Sequence, residues 1–185
     1  MGGHVLVLGG ARSGKTGFAE RLAMRAGETP LYLATAEALD AEMMERVRLH
    51  QQQRQRRFST LEEPLALATA LRGAARTHDV ILVDCLTLWI SNLLGANRNV
   101  AAAVDELAAT LPEIDTAQVI LVSNEVGLGI VPDNPLARTF RDLAGSAHQR
   151  LAEICDEVHF VVAGLPMTLK GTRLTESTTE RPRSE

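Results

Sequence analysis

The segment "VLVLGGARSGKTGFAE", Val5 to Glu20, decides the fold. An apolar run of four residues meets a glycine pair, and a helix-like stretch follows. Within it lies Gly9-x-x-x-x-Gly14-Lys15-Thr16, placed after a strand and at the opening of a helix, the context a phosphate-binding loop requires. Glycines let the backbone N–H groups of Gly9, Gly10, Ala11, Arg12, Ser13 and Gly14 curl around phosphate oxygens, and the helix start adds partial positive charge. Lys15 is suited to the β- and γ-oxygens, and the Thr16 hydroxyl to Mg²⁺. The bland alternative, a chance glycine-rich turn, explains neither flanking element. The segment reads as a nucleoside triphosphate site.

Such a loop needs a second metal anchor, usually an acid at the end of a neighbouring strand. Asp84 closes "DVILVD" (79–84), where four apolar residues deliver a carboxylate to the carboxyl edge of a sheet, the edge at which open α/β folds bind ligands. A carboxylate capping the next helix would leave the same trace, so both readings stand for Asp84 at this point.

Working outward, "HVLVL" (4–8), "PLYLAT" (30–35), "DVILVD" (79–84), "QVILVS" (118–123) and "EVHFVVAG" (157–164) are short, branched and almost continuously apolar. That pattern marks strands buried on both faces of a parallel sheet. Helix candidates lie between them at 15–26, 38–54, 63–76, 100–111 and 135–155. The alternation predicts an α/β fold: a mainly parallel sheet with helices on both faces. No internal repeat or interdomain linker is visible. Residues 1–170 are expected to form one nucleotide-binding domain and 171–185 a polar, flexible tail.

Composition narrows the classes. The chain has 185 residues, is 45% hydrophobic and carries a net charge of −4, which suits one soluble domain rather than a disordered chain. The acidic balance and six aromatic residues provide neither the basic field nor the stacking surface of a nucleic-acid binder. Any anion site must be local. Cys85 and Cys155 are too few and too far apart for a disulfide framework or a structural zinc site. The opening "MGGHVLVLGG" has no basic n-region, and no run approaches the roughly 20 apolar residues of a membrane span. A cytoplasmic location is expected.

Only two lysines accompany 17 arginines, and five of those arginines crowd "ERVRLHQQQRQRRF", Glu45 to Phe58, around His50. If 38–54 is helical, Arg46, His50 and Arg54 fall on one ridge. The ridge fits solvated arginines beside a packed histidine. Isolated histidines are more often structural than catalytic, yet the ridge also fits an anion clamp in which a neutral imidazole attacks phosphorus. The local pattern does not choose.

A longer run does. "SNEVGLGIVPDNPLARTFRDLAGSAHQRLAE" (123–153), with "GGARSGKT" (9–16), "LYLATAEALDAEMMERVRLH" (31–50), "DCLTLWISNLL" (84–94) and "GLPMTLK" (164–170), resembles the bifunctional adenosylcobinamide kinase/adenosylcobinamide-phosphate guanylyltransferases of cobalamin biosynthesis. The resemblance implies a P-loop NTPase core of the RecA-like type, which can assemble as a homo-oligomer, a trimer in some members. It implies phosphorylation of adenosylcobinamide with ATP or GTP, then transfer of GMP from GTP to form adenosylcobinamide-GDP. The second reaction passes in the family through a GMP–histidine intermediate, and the matching histidine is His50. Family guanine-nucleotide contacts fall on Gly9 to Thr16, Ala34, Thr35, Ala36, Gln51, Gln52, Gln53, Arg54, Glu62 and Asp84. Lys15 and His50 are the catalytic candidates, Thr16 and Asp84 the Mg²⁺ candidates. Glu125, after the fourth core strand, is a candidate to orient a nucleophile or touch substrate, or to cap a helix. Ser146 and His148 depart from the arginine and asparagine of many relatives.

Two other readings remain open from sequence. One is a monofunctional P-loop kinase for another small alcohol with a structural His50. The other is a RecA-like ATPase on nucleic acid, which the charge and aromatic content oppose. "LTLWISNLL" is expected to be core or subunit interface.

Overall fold

The structure, a computed structural model, describes residues 3–28, 30–36 and 57–171. The described strands are β1 (Val5–Gly9), β2 (Leu31–Ala34), β3 (Ser59–Glu62), β4 (Val80–Asp84), β5 (Gln118–Asn124), β6 (Glu157–Val162) and β7 (Leu165–Lys170). They form one sheet in the order β3-β2-β4-β5-β1-β6-β7. β1 to β6 pair in parallel, and only β7 runs antiparallel, on β6. The described helices are α1 (Lys15–Ala26), α2 (Leu67–Ala74), α3 (Leu86–Gly95), α4 (Val100–Thr110) and α5 (Pro135–Ile154).

The continuous apolar character of the strands follows from burial on both faces. Side chains alternate across a strand, so Leu6 and Leu8 join Leu33, Ile81, Val83 and Leu121 on the face covered by α2 to α5. Val5 and Val7 join Leu82, Ile120 and Val122 on the face covered by Phe18, Ala19 and Ala23 of α1. Each fully buried Leu or Ile contributes about 1.5–3 kcal/mol relative to exposure. The mainly parallel sheet with helices on both faces is therefore as the alternation predicts.

Four elements depart from the helix and strand candidates. α2 starts at Leu67 rather than 63, because Glu63 Oε1 accepts the N–H groups of Leu65 and Ala66 and holds a turn there. "LTLWISNLL" belongs to a helix, α3, whose Leu86, Trp89, Ile90 and Leu93 all enter the core. β3 and β7 are edge strands without a buried apolar run: every residue of β3 is exposed, and Leu165, Met167 and Leu169 of β7 face solvent.

Adjacent strands β1 and β5 send their connections across opposite faces, through α1 and α5 respectively. The carboxyl ends of two such strands open the crevice in which α/β sheets bind ligands. No helix among the described residues is long and apolar enough to cross a membrane.

Candidate functional site

The loop from Gly9 to Gly14 sits at that crevice. Ser13 N–H donates to Gly10 O at 3.2 Å and closes a tight turn. Gly14 has φ 91°, and a Cβ there would also stand 3.1 Å from Gly164 Cα; only glycine fits without strain. The turn between β6 and β7 backs the loop directly, since Gly164 N–H donates to Ser13 O at 2.7 Å. α1 begins at Lys15 with no side-chain cap. Its first backbone bond is Phe18 N–H to Gly14 O, so the N–H groups of Lys15, Thr16 and Gly17 precede any intrahelical partner. A helix start of this kind is a ready anion site.

Lys15 is only 8% exposed, and its ammonium folds back to donate to Gly10 O at 3.3 Å. Thr16 Oγ1 donates to Asp84 Oδ2 at 3.1 Å. Asp84 is carried to this point by β4, whose last residue pairs with Ala34 of β2 and Val122 of β5. The same Oδ2 accepts the Tyr32 hydroxyl at 2.7 Å. The ring of Tyr32 packs edge-on against Phe58, centroids 6.1 Å apart. Tyr32 was absent from the sequence-based candidates. Its signal was a lone tyrosine within a buried apolar strand, where the hydroxyl must find a partner. Thr16 and Asp84 together present a hydroxyl and a carboxylate, hard oxygen donors that suit Mg²⁺ with its retained waters.

The other expected contacts divide. Ala34 and Ala36 lie at the carboxyl end of β2, and Glu62 ends β3 opposite Ala34 on the exposed edge. Thr35 is fully buried and its groups are taken. Its hydroxyl donates to Cys85 O at 2.7 Å and accepts Cys85 N–H at 2.9 Å, its N–H donates to Asp84 O, and its carbonyl accepts Asn92 Nδ2 at 2.7 Å. Thr35 therefore clamps the ends of β2 and β4 together rather than offering its side chain outward. His50, Gln51, Gln52, Gln53, Arg54 and Arg46 lie outside the described residues.

Beside the loop, Glu125 follows β5 and donates its N–H to Gly9 O at 3.0 Å. Its carboxylate faces His148 of α5: Oε2 is 3.6 Å from Nδ1. His148 is buried, and its Nε2 lies 2.7 Å from Ser123 Oγ while Nδ1 has no hydrogen-bond partner. Burial holds its pKa below the ordinary 6.5, and the Glu125 charge offsets this only in part; 3.6 Å exceeds hydrogen-bonding reach. Ser146, the other departure, is exposed on α5. Cys85 is a buried thiol, pushed up chiefly by burial and next by the Asp84 charge, so it is no nucleophile at neutral pH.

Known proteins resemble this chain along most of its length. The family described as cobinamide kinase / cobinamide phosphate guanyltransferase matches residues 5–169. The bifunctional adenosylcobalamin biosynthesis protein CobP of Pseudomonas aeruginosa is 50% identical over 171 residues, 91% of this chain and 98% of that protein. The bifunctional adenosylcobalamin biosynthesis protein CobU of Salmonella typhimurium is 40% identical over 183 residues, 90% of this chain and 99% of that one. A solved KaiC-like protein, PH0186 of Pyrococcus horikoshii OT3, aligns with 85% of this chain and 70% of its own at a TM-score of 0.49 and 14% identity. On the family match and these identities, the chain belongs to the cobinamide kinase / cobinamide phosphate guanyltransferase family.

Proposed function

We propose that the protein phosphorylates the aminopropanol hydroxyl of adenosylcobinamide with ATP or GTP, then joins GMP from GTP to that phosphate, forming adenosylcobinamide-GDP. The observation that carries the reading is the meeting of Lys15, Thr16 and Asp84 at one crevice, in a chain matched by that family from 5 to 169. In the first reaction the loop N–H groups and Lys15 hold the triphosphate and take up charge as the hydroxyl attacks the γ-phosphorus. Positioning and electrostatics supply most of the acceleration in such transfers. Thr16 and Asp84 are the residues that would hold Mg²⁺, which would supply charge neutralisation for the phosphates there.

In the second reaction neutral His50 attacks the α-phosphorus of GTP. The N–P bond forms, the α–β bridging bond breaks and pyrophosphate leaves. The phosphate of adenosylcobinamide phosphate then attacks the same phosphorus, returning the imidazole. Splitting the transfer lets pyrophosphate give way to substrate at the site. Arg54, four residues after His50 in sequence, is proposed to stabilise the transferring phosphate, with Arg46 as a second cation. Ala34, Ala36, Glu62 and Gln51 to Gln53 are proposed to line the nucleotide. The same reading takes the protein as cytoplasmic and as a homo-oligomer, and the exposed Leu128, Ile130, Val131 and Leu136 support a subunit contact.

GTP labelled at the α-phosphate, incubated with protein and Mg²⁺, tests the histidine step. Acid-labile, base-stable label on the wild type and none on His50→Ala is the expected result. A wild type without bound label and without pyrophosphate exchange would overturn the guanylyltransferase half and leave a kinase alone.

A further inference from the structure

The nucleotide loop occupies one wall of a cleft that the phosphate contacts do not use. A cavity of about 390 Å³ opens there, lined by Ala11 of the loop, Thr87 and Ser91 of α3, Asn124 and Glu125 at the exit of β5, and Phe140 of α5. Glu125 is the ionisable side chain on that lining. Its main chain is tied to the first residue of the phosphate loop through the Gly9 carbonyl, which sets the residue beside that loop.

Three observations define what the carboxylate is held for. Gly127 N–H donates to Oε1, and a Cβ at Gly127 would come within 2.9 Å of that oxygen. This fixes one oxygen and leaves its partner free to act. Oε2 faces the buried His148, 6% exposed, whose Nδ1 lacks any hydrogen-bond partner. Since Nε2 is engaged with Ser123 Oγ and Nδ1 stops at 3.6 Å, the imidazole borders the carboxylate without consuming its lone pairs. Asn124 Nδ2 is engaged by Thr87 Oγ1 at 3.0 Å, and among the described lining residues Glu125 is the one that carries charge.

We infer that this cleft is the acceptor subsite of the kinase reaction, taking a neutral alcohol arm, and that Glu125 is the catalytic base that receives its proton. The inference rests on the proposed kinase activity. The hydroxyl oxygen forms a bond to the γ-phosphorus, and the bond from that phosphorus to the β–γ bridging oxygen breaks. The nucleoside diphosphate leaves with that electron pair, and the hydroxyl proton moves to the Glu125 carboxylate. The side chain is 21% exposed, which gives the proton a route to solvent after each turnover. Phe140 and the Ala11 methyl suit the methylene and methyl portion of a short amino-alcohol arm, and an anionic acceptor would find no counter-ion among the described lining residues.

Glu125→Gln is the informative variant, because its carbonyl oxygen still accepts from Gly127 N–H and the loop staple survives. With adenosylcobinamide and ATP, kcat is expected to fall about 10²- to 10⁴-fold, the range of a lost general base. KM for ATP should stay within about twofold of wild type. Ser91→Phe, at an exposed position on α3, fills the cleft mouth without touching the core. It should raise KM for adenosylcobinamide at least about tenfold with the ATP KM unchanged. An active wild type whose Glu125→Gln keeps kcat within about threefold, or whose Ser91→Phe keeps KM for the alcohol, overturns the subsite assignment alone. A wild type that phosphorylates no adenosylcobinamide overturns the kinase reading together with it.

Discussion

Two loops leave the crevice, residues 10–14 after β1 and 125–134 after β5, and they are held in different ways. The first is clamped along its length: Ser13 bonds Gly10, Gly164 bonds Ser13 O, and Lys15 bonds Gly10 O. The second is anchored only at its ends. Glu125 bonds Gly9 at one end, and at the other Asn134 caps α5 while Arg138 Nη1 donates to Pro132 O and Asp133 O. Between those anchors Leu128 and Ile130 stand 81% and 96% exposed. Donors already aimed at phosphate spend nothing on reorganisation during transfer. The apolar tip of the second loop has no core to enter, so its energetics belong to whatever covers it. Under the proposed function the first loop would hold the phosphates, and the tip of the second would meet a partner surface.

The largest effect should come from the clamped loop. Lys15→Ala removes the cation proposed to hold the phosphates but only one 3.3 Å bond to a carbonyl. kcat for phosphorylation should fall on the order of 10²- to 10³-fold, as for loss of one preorganised donor, with the thermal midpoint nearly unchanged. Undiminished transfer would take Lys15 out of the reaction. A smaller effect belongs to Tyr32→Phe, which keeps the ring against Phe58 and deletes the 2.7 Å bond to Asp84. The Mg²⁺ concentration for half-maximal rate should rise roughly tenfold, the lower end for loss of an outer-shell partner. No change in Mg²⁺ dependence would mean that the hydroxyl serves packing alone.

The same contrast explains what could be read from the sequence. The clamped loop was legible because backbone geometry forces glycine at Gly14 and because a short, continuously apolar run precedes it and a helical stretch follows. Asp84 was legible as a strand-end acid, but whether it capped a helix or met Thr16 needed the 3.1 Å contact. α3 was not legible as a helix: Leu86, Trp89, Ile90 and Leu93 do fall at helical spacing in the core, but Leu88 and Leu94 between and beside them make the run almost continuously apolar, and such a run reads as strand or core as readily as helix. β3 was missed for the opposite reason, since an exposed edge strand buries no alternating face. Tyr32 and Thr35 show a further limit. Both sit in the run 30–35, yet one hydroxyl serves the site and the other a clamp between strand ends. That choice depends on which neighbour the sheet order brings alongside, and sheet order is not local information.

His148 offers a smaller test, at the border between the two loops. Burial depresses its folded pKa below the 6.5 of the unfolded chain. Between those two values the unfolded chain binds a proton that the folded chain does not. Stability is therefore fully present above 6.5 and falls as pH drops through that window. His148→Asn removes the titrating group. Urea midpoints measured at about pH 7.5 and about pH 5 should differ less in the variant than in wild type. Equal differences would show that the imidazole is protonated without penalty where it stands.

The smallest effect should be at the tip of the second loop. Ile130 is 96% exposed, so Ile130→Ser removes no core contact and exposes no new surface in a single chain. Its unfolding free energy under conditions that keep chains apart should match wild type within about 0.5 kcal/mol. If the tip is covered by a second copy, as proposed, sedimentation should show the variant dissociating at concentrations where wild type stays assembled. A large loss of stability in the isolated chain would place Ile130 in a core and erase the contrast between the loops. Loss of assembly without loss of chain stability would locate the energy of this loop between subunits, where nothing in the single chain offsets its exposed apolar surface.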